Sequence, residues 1–470
     1  MENNKVDSDP RKHPASFRDP SGYIFMVGDQ ILRRVNSSYK ENYQMFMHSG
    51  LYAALSDSAQ IISHVELSDA ELFRDYTIIQ PDKIGYISYP YEWCFSQLKD
   101  AALLTLQIQK KAMDYGMSLK DASAYNIQFH RGKPIFIDTL SFEKYIEGKP
   151  WVAYRQFCQH FLAPLALMAK VDTRLSDLLV SNIDGVPLDL ASKLLPLRTW
   201  ASYSLLAHIH LHASSQKRYS ATGVGATSTR KPSLTKFQLL ALISSLLRAV
   251  NALVHKASAT EWGNYYEQTN YSDQAMVQKE EIVRDMLRSC STPSEQYVAD
   301  YGANTGRFSR IAANEGFLVL AHDVDELAVE KNYQTAKTNG ETEILPLVTD
   351  LTNPSPGIGW SNVERDSFIV RQRVSVGMAL AIIHHLSISN NIPFEHVADL
   401  FSTICCHLII EFVPKSDSQV KKLLNSRDDI FITYDQNSFE LAFTKYFTIV
   451  DKKSVIGSGR MLYLMRGIKD

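Results

Sequence analysis

The stretch YVADYGANTGRFSRIAANEGFLVLAHDVD, Tyr297 to Asp325, decides the fold of the C-terminal half. It begins with an apolar run that closes on Asp300 and the turn glycine Gly302. Gly306 follows, and RFSRIAANEG has the periodicity of a helix. A second apolar run, FLVLAHD, then ends at Asp323, 23 residues after Asp300. Strand, glycine turn, helix and strand in this order predict a parallel βαβ unit. Glycines at the turn let backbone approach a ligand that a Cβ would push away. An acid at the end of the second strand is placed to accept both hydroxyls of a ribose. The glycine spacing is GxxxG and not GxGxxG, so the loop offers no dedicated pyrophosphate cradle and points to a nucleoside ligand without a diphosphate. Asp325 reads as the N-cap of the next helix.

Further landmarks follow in order. EILPLVTDLTNP predicts a third strand ending at Asp350, VSVGMALAIIHHL a fourth opening at His384 and His385, and HLIIEFVPKSD a fifth. FTIVDKKSVIGSGRMLYLMR predicts a closing antiparallel hairpin. Together these motifs resemble class I S-adenosylmethionine-dependent methyltransferases, whose first motif has the form D-x-G-x-x-x-G. DVDELAVEKNYQTAKTNG is similar to the second-motif region of the ribosomal-protein-type members. The resemblance implies a Rossmann-like sheet with a terminal antiparallel hairpin. It also implies a cofactor site built from Asp300, Gly302, Asn304, Gly306, Asp323 and Asp350. A sulfonium methyl is already electrophilic, so the protein has mainly to align a nucleophile and exclude water. His385, His384 and Glu411 are the candidates to orient or deprotonate an N or O acceptor. On a strand the two histidines would face opposite ways, so one of them at most would meet the acceptor. Trp262, Tyr265, Tyr266 and Tyr271 are candidates for an aromatic lid over the sulfonium, or for plain packing.

The chain has 470 residues, too long for one core. Its 49 basic and 51 acidic residues nearly cancel, so no global field draws it to nucleic acid or anionic lipid. Five cysteines without CxxC spacing announce neither zinc nor a disulfide framework and fit a reducing compartment. FQLLALISSLLRAVNALV, from Phe237, carries Gln238, Arg248 and Asn251 and reads as an amphipathic helix instead of a membrane span. A cytoplasmic protein is expected. Three histidines in HIHLH (His208, His210 and His212) scatter around a helix with no carboxylate nearby, so no metal is assigned to them.

Four segments are expected: a polar tail over 1–20, an α+β domain over 21–213, a linker and connecting helix over 214–256, and the methyltransferase-like domain over 257–470. In the first domain GYIFMVGDQILRRV predicts a hairpin about Gly28, KIGYISYPYEW a strand, and FSQLKDAALLTLQIQKKAMDYG a long helix. NIQFHRGKPIFID predicts a second hairpin about Gly132. Within LKDASAYNIQFHRGKPIFIDTLSF, Asp121 and Asn126 stand five apart and Asp138 twelve further on. That spacing resembles the catalytic base, metal-binding Asn and second carboxylate of protein kinases, and implies a kinase-like fold that would take Mg-ATP. The departures are plain. KDAS replaces H-R-D, IDTLSF replaces D-F-G, the glycine-rich loop is missing, and Arg33 or Arg34 must stand for the usual lysine.

Phrases such as YEWCFSQLKDAAL and IEFVPKSDSQV extend a resemblance to bacterial methyltransferases, some of them nodulation-related, over nearly the whole chain. The implied function is methyl transfer to an unidentified glycan, small molecule or protein, with the first domain binding substrate or nucleotide. Two alternatives stay open. One is a bifunctional kinase–methyltransferase. The other is a non-catalytic scaffold, favoured by Ser375 standing near the start of a strand where an acid is expected.

Overall fold

The computed structural model describes residues 11–67, 76–212, 234–255, 272–290, 297–425 and 428–468. The chain divides into two compact units. The first comprises residues 1–256 together with 357–366, and the second residues 257–356 and 367–470. No described helix is long and apolar enough to cross a membrane.

The first unit opens with an antiparallel sheet of strands β1 (Arg11–Lys12), β2 (Gly22–Val27), β3 (Gln30–Val35), β4 (His64–Leu67) and β5 (Thr77–Pro81), in the order β1-β2-β3-β5-β4. The two-residue turn between β2 and β3 uses Gly28 at φ 57°, as the glycine predicted. Gly22 pairs so closely with β3 that a Cβ there would lie 2.1 Å from the Arg34 carbonyl oxygen. Between β3 and β4, Gly50 at φ 87° separates the helices Lys40–His48 and Leu51–Asp57. The long helix Phe95–Asp114 buries Leu98, Ala101, Ala102, Thr105, Ile108 and Ala112 along one stripe and stops before Gly116 at φ 72°.

Strand β6 (Met117–Leu119) pairs with β9 (Phe142–Lys144), and β7 (Ile127–His130) with β8 (Lys133–Phe136). Arg131 and Gly132, both at positive φ, make the second hairpin turn. The expected strand over 83–93 is absent. There the Gln128 side chain accepts from the Ser88 amide and donates to the Ser88 carbonyl, 2.9 Å each, so a side chain satisfies the backbone that a neighbouring strand would otherwise have paired.

The second unit is a seven-stranded sheet flanked by helices. Its strands are β10 (Tyr297–Tyr301), β11 (Leu318–Asp323), β12 (Ile344–Val348), β13 (Val374–Ala379), β14 (Cys405–Phe412), β15 (Phe447–Ser454) and β16 (Met461–Gly467). They run in the order β12-β11-β10-β13-β14-β16-β15. The first five are parallel, and β16 and β15 form the expected antiparallel hairpin beside β14. Val298, Val319, Ile344, Val376 and Ile409 face a core that includes Met276, Val283 and Met286 of the helix Asp273–Ser289. The opposite face carries Tyr301 and His322, stacked with centroids 5.6 Å apart.

Two boundaries differ from the sequence reading. The third strand ends at Val348, two residues before Asp350. The fourth ends at Ala379, and His384 and His385 lie in a helical turn leading into His385–Ser389. The chain turns away at Ala381, which takes φ 56°.

Candidate functional site

Strand order reverses at β10, whose neighbours β11 and β13 carry the chain to opposite sides. Such a switch point opens a crevice beyond the carboxyl ends of the strands. The Gly302–Gly306 loop lies there. Gly302 and Gly306 have φ of 76° and 82°, and Asn304 adopts the same left-handed region at 50°. A Cβ on Gly302 would come within 2.4 Å of the Ile382 side chain, and one on Gly306 within 2.4 Å of Asn332 Oδ1. The loop amides are used internally. Gly302 and Ala303 both donate to the His322 carbonyl at 2.9 Å, Gly306 donates to the Ala303 carbonyl, and Thr305 donates to Asn304 Oδ1. This agrees with a loop that does not cradle phosphate.

Asp323 closes β11. Its Oδ2 accepts from the Asn304 amide at 2.7 Å and its Oδ1 from the Asp325 amide at 2.8 Å. No cation lies within ion-pair distance of it among the described residues. Each oxygen keeps a lone pair for a further donor. Burial raises this carboxyl to about 6, against the amides that favour its charge. Asp300, almost wholly enclosed, accepts from the Ser309 hydroxyl at 2.7 Å. Burial first, with the charge of Asp323 adding to it, pushes Asp300 up to about 7. Asp325 caps its helix through the Leu327 and Ala328 amides. Asp350, more open, accepts from the amide and hydroxyl of Thr352.

The His384–His385 turn reaches this crevice through Ile382, the residue packed against Gly302. The rings are 4.2 Å apart. His384 is buried, and its Nδ1 has no hydrogen-bond partner among the described residues. Burial lowers His384 well below the usual imidazole value and His385 to about 4, with Arg460 contributing to each. Both rings are therefore neutral at pH 7. Because they occupy a helical turn, the opposite-faces argument for a strand does not apply to them.

Glu411 requires a correction. It is fully buried and its Oε2 accepts from Lys279 Nζ at 2.7 Å, with Arg460 Nη1 at 3.9 Å from Oε1. Arg460 in turn bonds Asp417 at 2.8 Å. A carboxylate held by two cations is a structural counter-ion and has no free basicity to offer. Sequence reading missed Lys279 and Arg460. Lys279 left a trace, as a cation among Met276, Ile282, Val283 and Met286 on the apolar face of its helix. Arg460, after the Gly457–Gly459 turn, left none. The aromatic lid candidates Trp262, Tyr265, Tyr266 and Tyr271 lie outside the described residues.

In the first unit Asp121, Asn126 and Asp138 come together. Asn126 and Asp138 both bond the Ser141 hydroxyl, at 3.4 Å and 2.7 Å. Burial, then the charge of Asp138, raises Asp121, while the Ser123 amide, Gln156 and Asn126 hold it down. Arg33, one of the two arginines considered in place of lysine, donates from Nη1 to Asp138 at 2.5 Å and from Nη2 to Asp19 at 2.9 Å. His208 and His210 lie in one helical stretch, where His208 bonds Tyr154 and Ser245, and His210 bonds Ser192 and Thr199.

No family model matches the chain. Solved structures similar to part of it include the following three. N-methyltransferase NodS from Bradyrhizobium japonicum WM9 is 11% identical, covering 42% of this chain and 98% of its own, at a TM-score of 0.32. Magnesium protoporphyrin IX methyltransferase from Synechocystis PCC 6803 is 17% identical over 44% and 92%, at 0.32. The bifunctional kinase-methyltransferase WbdD is 16% identical over 43% and 42%, at 0.31. At these scores the likenesses carry no argument, and nothing supports the ribosomal-protein-type subgroup. One full-length relative is decisive. The nodulation protein NoeA of Rhizobium meliloti (strain 1021) is 35% identical over 468 residues, 97% of this chain and 96% of that protein. The chain belongs to the family of the nodulation protein NoeA.

Proposed function

We propose that the second unit is an S-adenosylmethionine-dependent methyltransferase. The observation that carries this reading is Asp323. It is a carboxylate at the carboxyl end of the strand beside the glycine loop, oriented by two backbone amides and free of any cation among the described residues. An acid so placed accepts both hydroxyls of a nucleoside ribose. The parallel sheet with its terminal hairpin supports the same reading, because its switch point stands where the loop does. Asp350 lies two residues beyond the next strand, and a loop whose amides are used internally suits a nucleoside without a diphosphate. When bound, the cofactor supplies an electrophilic methyl group.

The protein's part is positional. Asp323 fixes the ribose, the Gly302–Gly306 loop shapes the floor, and Ile382 carries the His384–His385 turn to its edge. Two neutral imidazoles accept a hydrogen bond from an amine or hydroxyl acceptor and so orient its lone pair, without the cost of repelling a sulfonium. Their low basicity suits orientation better than full deprotonation. The acceptor is a glycan, small molecule or protein.

Titration calorimetry with S-adenosylmethionine and S-adenosylhomocysteine tests the reading. One-to-one binding is expected, weakened on the order of 100-fold in Asp323→Ala by loss of two charge-assisted hydrogen bonds. No heat with either ligand sinks the proposal. Incubation with methyl-labelled cofactor and cell extract, followed by counting protein, glycan, lipid and RNA fractions, then identifies the acceptor class. Tight binding without transfer to any fraction would favour a scaffold.

A further inference from the structure

The convergence of Asp121, Asn126 and Asp138 invites magnesium, but the residues present do not fit it. Magnesium needs carboxylate oxygens free for near-octahedral coordination. Asp138 is already neutralised by a guanidinium, and one of its oxygens is fully occupied. Oδ1 accepts from Arg33 Nη1 and the Leu140 amide, and Oδ2 from the Ser141 hydroxyl. The guanidinium stays charged at every working pH, so it does not leave by titration. Arg33 is itself enclosed between Asp138 and Asp19. The positive charge that a magnesium ion would bring is here supplied by the chain itself.

The two arms of Arg33 are held differently. Asp138 is fixed by two further donors from its own turn. Asp19 lies between β1 and β2, outside any regular element, and its one additional backbone donor is the Ser21 amide. Lys120 Nζ stands 3.5 Å from the second oxygen of Asp19 and donates to the Ser21 hydroxyl. Two cations thus clasp one carboxylate, an arrangement that equally accepts a phosphate bidentately. Arg33 Nε, buried with no hydrogen-bond partner among the described residues, is a third donor not yet used.

We propose that the first unit binds a phosphate-bearing ligand without a divalent metal, Arg33 and Lys120 supplying the positive charge, and that Asp19 occupies this site until the ligand displaces it. The proposal is independent of methyl transfer by the second unit.

Calorimetry of the full chain with pyrophosphate and with ATP, each in EDTA and in magnesium, is the test. Both media should give the same affinity within about two-fold, because no metal bridges protein and phosphate. Asp19→Asn should tighten binding on the order of ten-fold by weakening the internal competitor. Arg33→Met should lose it, and Arg33→Lys, which keeps a charge without the fork, should retain part. Binding of both probes points to phosphate recognition, and binding of ATP alone to a nucleotide held through its phosphates. Binding seen only with magnesium and lost in Asp138→Asn would overturn the proposal. So would the absence of heat from both probes in wild type and in Asp19→Asn. The Asp19→Asn arm keeps the question open to refutation even if Arg33→Met fails to fold.

Discussion

Asp138 in the first unit and Asp323 in the second are both half-buried acids at or just past the end of a β-strand, yet they are held by opposite means. Asp138 is neutralised by a guanidinium, and its carboxyl lies below the usual carboxylate range despite burial, chiefly because Arg33 offsets that burial. Asp323 is held by amides, with no cation beside it among the described residues, and is pushed up to about 6 by burial. A cation saturates a carboxylate, whereas amides orient it and leave its charge available to a ligand. The local chemistry of the partner, and not the acid itself, separates a structural counter-ion from a ligand group. Glu411, locked to Lys279, falls on the structural side although it stands in the ligand-facing half of its sheet.

The sharpest way to break this comparison is to remove a cation from a saturated acid. Lys279→Met should cost about 3–5 kcal/mol of unfolding free energy, because it removes the cation 2.7 Å from the fully buried Glu411. Denaturant unfolding measures it. A change below about 1 kcal/mol would show that Glu411 does not depend on its partner. A smaller effect is expected from distorting the amide cradle. Gly302→Ala must hold φ 76° and press a methyl on Ile382, which should cost about 1–3 kcal/mol and weaken cofactor binding in parallel. Calorimetry and thermal unfolding on the same variant check both.

The mildest prediction concerns Asp300. Its folded value, about 7, lies above its unfolded one, so the protonated form stabilises the fold. That stability is complete below pH 4 and drains away as pH rises towards 7. Asp300→Asn should therefore gain melting temperature over wild type at pH 8 and little or none at pH 4. An equal difference at both pH values would contradict the assignment. The slope that persists in the variant should fall near pH 6, where Asp323 titrates.

Much of the second unit is legible in the sequence because parallel strands buried on both faces read as continuous apolar runs. Tyr297–Tyr301 and Leu318–Asp323 are such runs, closed by acids and glycines. The same continuity hides ends. In VSVGMALAIIHHL nothing apolar changes between Ala379, where the strand stops, and Ile383, so the histidines read as strand until Ala381 is seen to turn. Long-range pairing did not give away its partners. Lys279 meets Glu411 across 132 residues, and the docking of 357–366 into the first unit follows no periodicity. KIGYISYPYEW failed differently, since in place of a strand partner the Ser88 backbone there is bonded by the side chain of Gln128.

The segment 357–366 is counted with the first unit although it comes from the sequence of the second. Its Glu364 receives a two-pronged bond from Arg18 at 2.6 and 3.0 Å, and its Asp366 amide donates to the Tyr89 hydroxyl. The two units are therefore not interchangeable cassettes. A gene fusion or truncation that kept residues 1–256 alone would deprive Arg18 of its carboxylate and Tyr89 of its amide. The separated C-terminal half would carry an orphaned acidic finger. Recombination at the obvious border between the halves is penalised on both sides, so the pair is expected to be inherited, lost and engineered as one piece.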